Sequence, residues 1–242
     1  MRSSRGRLDS PPSQFKIPIR VSPCNNKDMN VSFEGFKEAW NNNSKYVYPC
    51  RPADASERWF LRTPINEEKE KDLVFIGVNP SDATALRFDK KDGDGTTRVL
   101  LSHFRLDDKD RPLHYRRITI VNLIPLVAGN GRDLPDWHEE GGRRKILESV
   151  AVTFTVLPTV LGTADIVLPM WGDPEASKFP WKKSILPIVK PLIRECRSVR
   201  PFQVQGYIQQ AKRFPYHCAH SKDISRWKSD VWVDDASFVL ED

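Results

Sequence analysis

The chain has four cysteines in 242 residues, Cys24, Cys50, Cys196 and Cys218, and no two of them form a CxxC pair. That removes the close ligand spacing of zinc and iron–sulfur sites and leaves no disulfide framework to read. There is no GxxxxGK[ST] loop, no GxGxxG turn and no GxSxG elbow. NTPase, dinucleotide-enzyme and α/β-hydrolase chemistry therefore lose their usual sequence support. The zinc-deaminase combination of H-x-E with P-C-x-x-C is missing too. What remains is a polar site expected to work without metal or cofactor.

Long apolar runs are also lacking. The most apolar stretch, 150–171, is interrupted by Pro158 and Asp165 and reads as core elements, so no membrane association is expected. No apolar segment follows Met1, which argues against a secretory signal and for a cytoplasmic protein. Acidic residues are scarce in one place: between Lys178 and Lys228 there are 12 Lys/Arg against only Glu195 and Asp223. Arg2, Arg5, Arg7, Lys16 and Arg20 add a second basic cluster near the start. Clusters of this kind suit a phosphate backbone, because each neutralised phosphate releases counterions. The plainer reading is a solvated basic face.

Residues 1–15, rich in Ser, Arg and Pro, read as a disordered basic tail. Residues 16–70 form a lead-in packed on the core, in which Arg58-Trp59-Phe60-Leu61-Arg62 suggests a short strand or edge element. Residues 71–242 form the main domain. Leu73–Val78 is almost continuously apolar, as a parallel strand covered on both faces must be. Ile118–Leu123, Asp165–Met170 and Ser198–Val204 complete four buried strands. Asp94 is a helix cap for the segment carrying Val99, Leu100, Leu101 and Phe104, and Asp173-Pro174 is a second helix start. A helix near Arg143–Leu161 carries Pro158, and a helical region Ser177–Arg197 carries Pro187 and Pro191, so it is expected to be kinked or split. Alternating strands and helices predict an α/β fold, a three-layer α/β/α sandwich around a central, mostly parallel four-stranded sheet.

The polar residues of interest fall at strand ends. Gly77-Val78-Asn79-Pro80-Ser81 ends the first strand, Asn122 the second and Trp171-Gly172 the third, while His217 lies in the last loop, 206–221. An open α/β sheet binds its ligand there, beyond the carboxyl ends of its strands. Gly77-Val78-Asn79-Pro80, Ile120-Val121-Asn122-Leu123, Leu168-Pro169-Met170-Trp171-Gly172 and His217 resemble the four landmark segments of the uracil-DNA glycosylase superfamily, in the same order. Within it the Asn at position 79 is similar to the mismatch-specific branch. The chain also resembles an uncharacterised bacterial family marked by an R-x-x-L-x-R element, an Asn-Pro-Ser turn, a D-x-T element and a terminal His loop. Asp94-Gly95-Thr96 matches the D-x-T, and the Arg58 segment departs slightly from the first element.

The resemblance implies a uracil-DNA glycosylase-like fold and a monofunctional enzyme that hydrolyses the N-glycosidic bond of a pyrimidine flipped out of double-stranded DNA. It implies a role for each matched residue. Asn79 would orient the attacking water, although an amide cannot take its proton as a carboxylate does. Asp94, Asp82, Asp89 or Asp92 would supply that charge, with helix capping the competing account of Asp94. Asn122 would read the base edge, or simply tie down its loop. His217 would hydrogen-bond the base carbonyl as charge develops on it, although Cys218-Ala219 replaces the usual Pro-Ser that follows. Ser81 stands where uracil-specific members carry a Tyr that blocks C5 substituents, so a C5-modified base fits, unless Phe88 closes the same space. Phe88 is the candidate for stacking on the base. Lys212, Arg213, His220, Ser221 and Lys222 would contact phosphate or the gap left by the flipped base. No Lys in a landmark segment predicts a Schiff base, and the protein is expected to act as a monomer without an obligatory partner. A non-catalytic reader of modified bases and an enzyme acting on free nucleosides are the alternatives. Both DNA repair and defence against phages with modified DNA fit.

Overall fold

Leu73, Val74, Phe75 and Ile76 offer no polar side chain to either face of a strand, and the segment takes a central place where both faces are covered. In the computed structural model residues 31–49, 56–80, 115–128, 133–172 and 179–204 are described. The elements are α1 (Phe33–Asn41), β1 (Val47–Tyr48), β2 (Phe60–Arg62), β3 (Asp72–Gly77), β4 (Arg117–Asn122), α2 (Glu140–Leu161), β5 (Ile166–Pro169), α3 (Lys182–Val199) and β6 (Gln203–Val204). They build a six-stranded sheet of order β1-β2-β4-β3-β5-β6. The strands β4, β3, β5 and β6 are parallel, and β2 runs antiparallel between β1 and β4. No described helix is long and apolar enough to cross a membrane.

The four expected parallel strands are present, but the sheet has two more, both from the lead-in. Phe60–Arg62 is therefore not the edge: β1 covers it. Alternation sorts the side chains by face. Val74, Ile76, Val121 and Val167 share one core cluster with Val150, Val156 and Leu157 of α2 and Ile185 and Val189 of α3. Leu73, Phe75, Ile118, Ile120 and Leu168 point to the other face and are equally buried. The second helical layer of the expected sandwich falls on residues outside those described, as do the 1–15 tail, the helix after Asp94, the Asp173-Pro174 start and the loop 206–221.

Two boundaries need correction. The region expected to split at Pro187 and Pro191 forms one continuous helix, α3. Both prolines lie on its exposed side, where water can serve the carbonyls that lose an amide partner. The helix then runs on to Val199, which shortens the expected strand 198–204 to Gln203–Val204.

The helix α1 was not read from the sequence, being only nine residues long. Its signals are present: Ser32 Oγ accepts from the Gly35 amide at 3.1 Å, and Phe36, Ala39 and Trp40 fall on one buried stripe. An aromatic cluster fastens α1 to the sheet, with Trp40–Phe60 and Tyr48–Trp59 ring centroids 5.4 and 5.3 Å apart. Arg62, fully buried, completes the joint. Its guanidinium donates to the carbonyls of Trp40, Ala39, Asn42 and Lys45 at 2.8–3.0 Å and lies over the Trp40 and Phe60 rings. It thereby caps the carbonyl end of α1, where positive charge is favoured. Burial, and secondarily the charge of Arg117, lowers the Arg62 pKa to about 9, still charged at neutral pH.

Replacing Arg62 with Met keeps the length and removes every donor, leaving four carbonyls to find other partners. The Arg62→Met variant should lose about 2–4 kcal/mol of stability, read by urea unfolding, since hydrogen bonds to charged groups are each worth roughly 1.5–3 kcal/mol. Unchanged stability would mean that α1 is not held through Arg62.

Candidate functional site at the carboxyl ends of β3 and β4

The chain passes from β3 to β4 on one side and then from β4 to β5 on the other side of β3. Such a reversal is a topological switch point; in the parallel order β4-β3-β5-β6 it falls between β3 and β5, and open α/β sheets bind ligands beyond the strand ends there. Gly77 ends β3 at that point, Asn122 ends the neighbouring β4, and the two are paired in register. Pairing continues past them, with the Leu123 amide donating to Gly77 O at 2.9 Å, Ile124 to Val78 O at 3.0 Å and Ala128 to Pro80 O at 3.0 Å. On the other side the Arg58 amide donates to Pro125 O at 2.8 Å and that of Val127 to Ser56 O at 2.9 Å. The loop after β4 is clasped between two segments, so the site has a rigid floor.

Gly77 is dictated by its neighbour. A Cβ there would stand 2.6 Å from Asn122 Oδ1, closer than any van der Waals contact permits. The Asn122 side chain thus lies on the Gly77 side of the sheet, opposite Val121 and the helices. Asn122 is 6% exposed, and its Nδ2 has no hydrogen-bond partner among the described residues. A buried donor left unmade costs about 1–3 kcal/mol. Orphans of this sort are rare in native proteins and call for an explanation.

Asn79 is the reverse case. Its Nδ2 donates to Ala128 O at 3.2 Å and Pro80 O at 3.3 Å. Two carbonyls can face only the NH2 end of an amide, which fixes the orientation and leaves Oδ1 as the acceptor. A carboxylate at this position would set its oxygens against those carbonyls. The loop is built for an amide. The loop-tying role considered for Asn122 belongs to Asn79.

On the helix face, Thr153 Oγ1 donates to Leu123 O at 2.9 Å and to Asn122 O at 3.3 Å. The recess there, between Trp59, Pro125, Val152 and Leu157, has room for about one water and is too small for a ligand. At the end of β5, Gly172 has φ +68°, a conformation that other residues rarely adopt. Lys182, 2% exposed, donates to Trp171 O and lies 4.5 Å from the centroid of the Phe179 ring. It holds this turn from the first residue of α3. Sequence reading counted it with the basic surface, and nothing in its spacing distinguishes it from the exposed lysines nearby.

Of the candidate residues, Asn79 and Asn122 are described, and they come together on adjacent strand ends. Ser81, Phe88, Asp82, Asp89, Asp92, Asp94, Lys212, Arg213, His217, His220, Ser221 and Lys222 lie outside the described residues. These features define an α/β protein with a mostly parallel six-stranded sheet that carries Asn79 just past the end of β3 and Asn122 at the end of β4. Residues 58–217 match the model of a family described as a protein of unknown function, DUF1643, and the chain belongs to that family. The match includes both asparagines and the Arg58–Pro125 part of the clasp. No curated protein and no solved structure gives a significant match.

The two asparagines should respond differently to truncation. Asn122→Ala removes an orphan donor and should change stability by less than about 1 kcal/mol, whereas Asn79→Ala unties a loop and should cost about 1–2 kcal/mol, near the value of two net hydrogen bonds. Thermal unfolding of both variants checks this; a larger loss at Asn122 would show that its amide is satisfied in the folded protein.

Proposed function

We propose that this protein is a monofunctional DNA glycosylase with a uracil-DNA glycosylase-like fold, acting on a flipped-out, C5-modified pyrimidine of double-stranded DNA such as glucosylated hydroxymethylcytosine. The observation that carries the reading is the buried Asn122 amide, whose Nδ2 has no partner among the described residues, beside Gly77 on the strand that borders the switch point. A base edge supplies what it lacks. Carbonyl oxygens and ring nitrogens of pyrimidines accept from an amide NH2, and the free carbonyl of Asn122 can accept from the neighbouring N–H. A flipped base is read in this way, by hydrogen bonds to its pairing edge.

The reaction transfers the N-glycosidic electron pair to the departing base while water adds to the anomeric carbon and loses a proton. Negative charge grows on the base, so a donor already aimed at its edge gains strength in the transition state. Asn122 fills that role, with His217 as the second donor. The free Oδ1 of Asn79 accepts from the water and orients it, and a loop carboxylate, Asp94 foremost, takes its proton. Abasic sites in phage or damaged DNA would serve antiviral defence or uracil and mismatch repair respectively.

One observation favours a second reading, a modified-base reader that does not cut. The Asn79 NH2 is committed to holding the loop, and its remaining amide oxygen can align a water but cannot take its proton.

Incubation with uracil-containing DNA, unmodified phage DNA and glucosylated phage DNA, followed by an assay for alkali-labile sites, separates the readings. Abasic sites are expected on the glucosylated DNA, reduced at least about 100-fold by Asp94→Asn, the lower range for general-base loss. Tight binding to that DNA with no abasic sites on any substrate would establish the reader instead.

A further inference from the structure

The exposed side of α3 is not uniformly charged. At about 100° per residue, Lys183, Lys190, Arg194 and Arg197 fall within an arc of about 60° on one flank of the helix. Glu195, the only acid in α3, lies about 100° further round. The exposed apolar residues Ile188 and Val199 share the flank of Glu195. The buried stripe of Lys182, Ile185, Leu186, Val189 and Ile193 separates the two flanks on the core side.

The centre of the basic flank holds two like charges with no ion-pair partner among the described residues. Lys190 and Arg194 are one helical turn apart, an arrangement of like charges that destabilises a helix by a few tenths of a kcal/mol. No carboxylate pairs with either among the described residues. Burial first, and then the charge of Arg194, pushes the Lys190 amine below its ordinary range. At the amino ends of the strands, by contrast, Arg116 pairs with Asp72 and Arg200 with Asp165. Lys190 and Arg194, at the centre of the flank, are placed to take an external anion.

From Lys183 to Arg197 the flank is about 21 Å long at 1.5 Å per residue, the length over which one strand of B-DNA presents about six phosphates. The helix begins at Lys182, against the Trp171 carbonyl at the carboxyl end of the sheet, where the candidate site lies. Its cationic flank carries no aromatic or branched apolar anchor, which a protein partner would need at the centre of its interface.

We propose that this flank of α3 is a sequence-independent track for the phosphate backbone of DNA running away from the candidate site, centred on Lys190 and Arg194. This rests on the reading of that site as a DNA site, and it adds a surface outside the base-binding residues. The track holds duplex whether or not a modified base is present, and it lengthens residence near a target without reading sequence.

The test uses the full chain and a plain duplex without modified bases, with binding followed by fluorescence anisotropy between about 50 and 200 mM salt. The Lys190→Gln/Arg194→Gln variant should show a plot of log affinity against log salt shallower by about 2, at about 0.9 per lost phosphate contact. The charge-keeping Lys190→Arg/Arg194→Lys variant should retain the original slope, which excludes a packing effect. An unchanged slope in the Gln variant, with thermal unfolding also unchanged, overturns the track, even if base release stands. Loss of binding to a polyglutamate peptide with no change on DNA overturns it in favour of an acidic protein partner. A shallower slope with no base release from any DNA supports the track while removing the catalytic reading.

Discussion

The parallel register of β3 against β4 is the constraint on which the rest of the site depends. It sets Gly77 beside Asn122, and the missing Cβ at Gly77 is what allows the Asn122 amide to occupy the space over that strand end. The same register carries past the strands into the backbone bonds that clasp 123–128 against 77–80. Because the two strands are central, a slip of one residue would turn Val74 and Ile76 out of the helix-facing core as well as moving the site. Core packing and site geometry are therefore specified by one alignment.

Polar groups are buried at both ends of the sheet. At the amino ends the Asp72 amide donates to Asp165 Oδ2 at 2.8 Å, Arg116 pairs with Asp72, and Arg200 pairs with Asp165 at 3.1 Å, while Asp72 Oδ1 and Arg117 Nε are buried without a hydrogen-bond partner among the described residues. Burial pushes the Asp72 carboxyl up, while the hydrogen bond and charge of Arg116 oppose it. At the carboxyl ends the buried Asn122 NH2 has no partner among the described residues, and the Asn79 amide oxygen accepts nothing from them. What sets Asn122 apart from the amino-end groups is its place: it ends a strand at the mouth of the sheet, where a ligand of an open α/β sheet binds.

Much of this was legible in the sequence where the signal was local and strong. Four apolar residues in a row at Leu73–Ile76 fix a doubly covered strand, and asparagines that end two such strands mark the mouth of the sheet. The short elements were not legible. The helix α1 depends on Arg62, some twenty residues away, to cap its carbonyls, and β1 exists only because Phe60–Arg62 offers it an edge. The prolines of α3 misled in the other direction, because a proline's cost depends on whether water reaches the carbonyl it abandons. Lys182 was hidden for a similar reason: composition counts its charge but cannot show that it is buried under a strand end.

Asn79 sharpens what the site can do. Its orientation follows from two carbonyls, so its donor end is committed to structure and only its acceptor end faces other tasks. An acceptor can align water but cannot carry away a proton, so under the glycosylase reading we propose, the two tasks fall to an aligning amide and a separate base. Asn122, whose donor is uncommitted, is under the opposite constraint: it is poised to give a hydrogen bond wherever negative charge develops. An arrangement with one fixed acceptor and one waiting donor is suited to a reaction in which the leaving group needs more help than the nucleophile. Departure of an anionic base from a deoxyribose is such a reaction, because the sugar can bear cationic character while the base must be stabilised as it leaves.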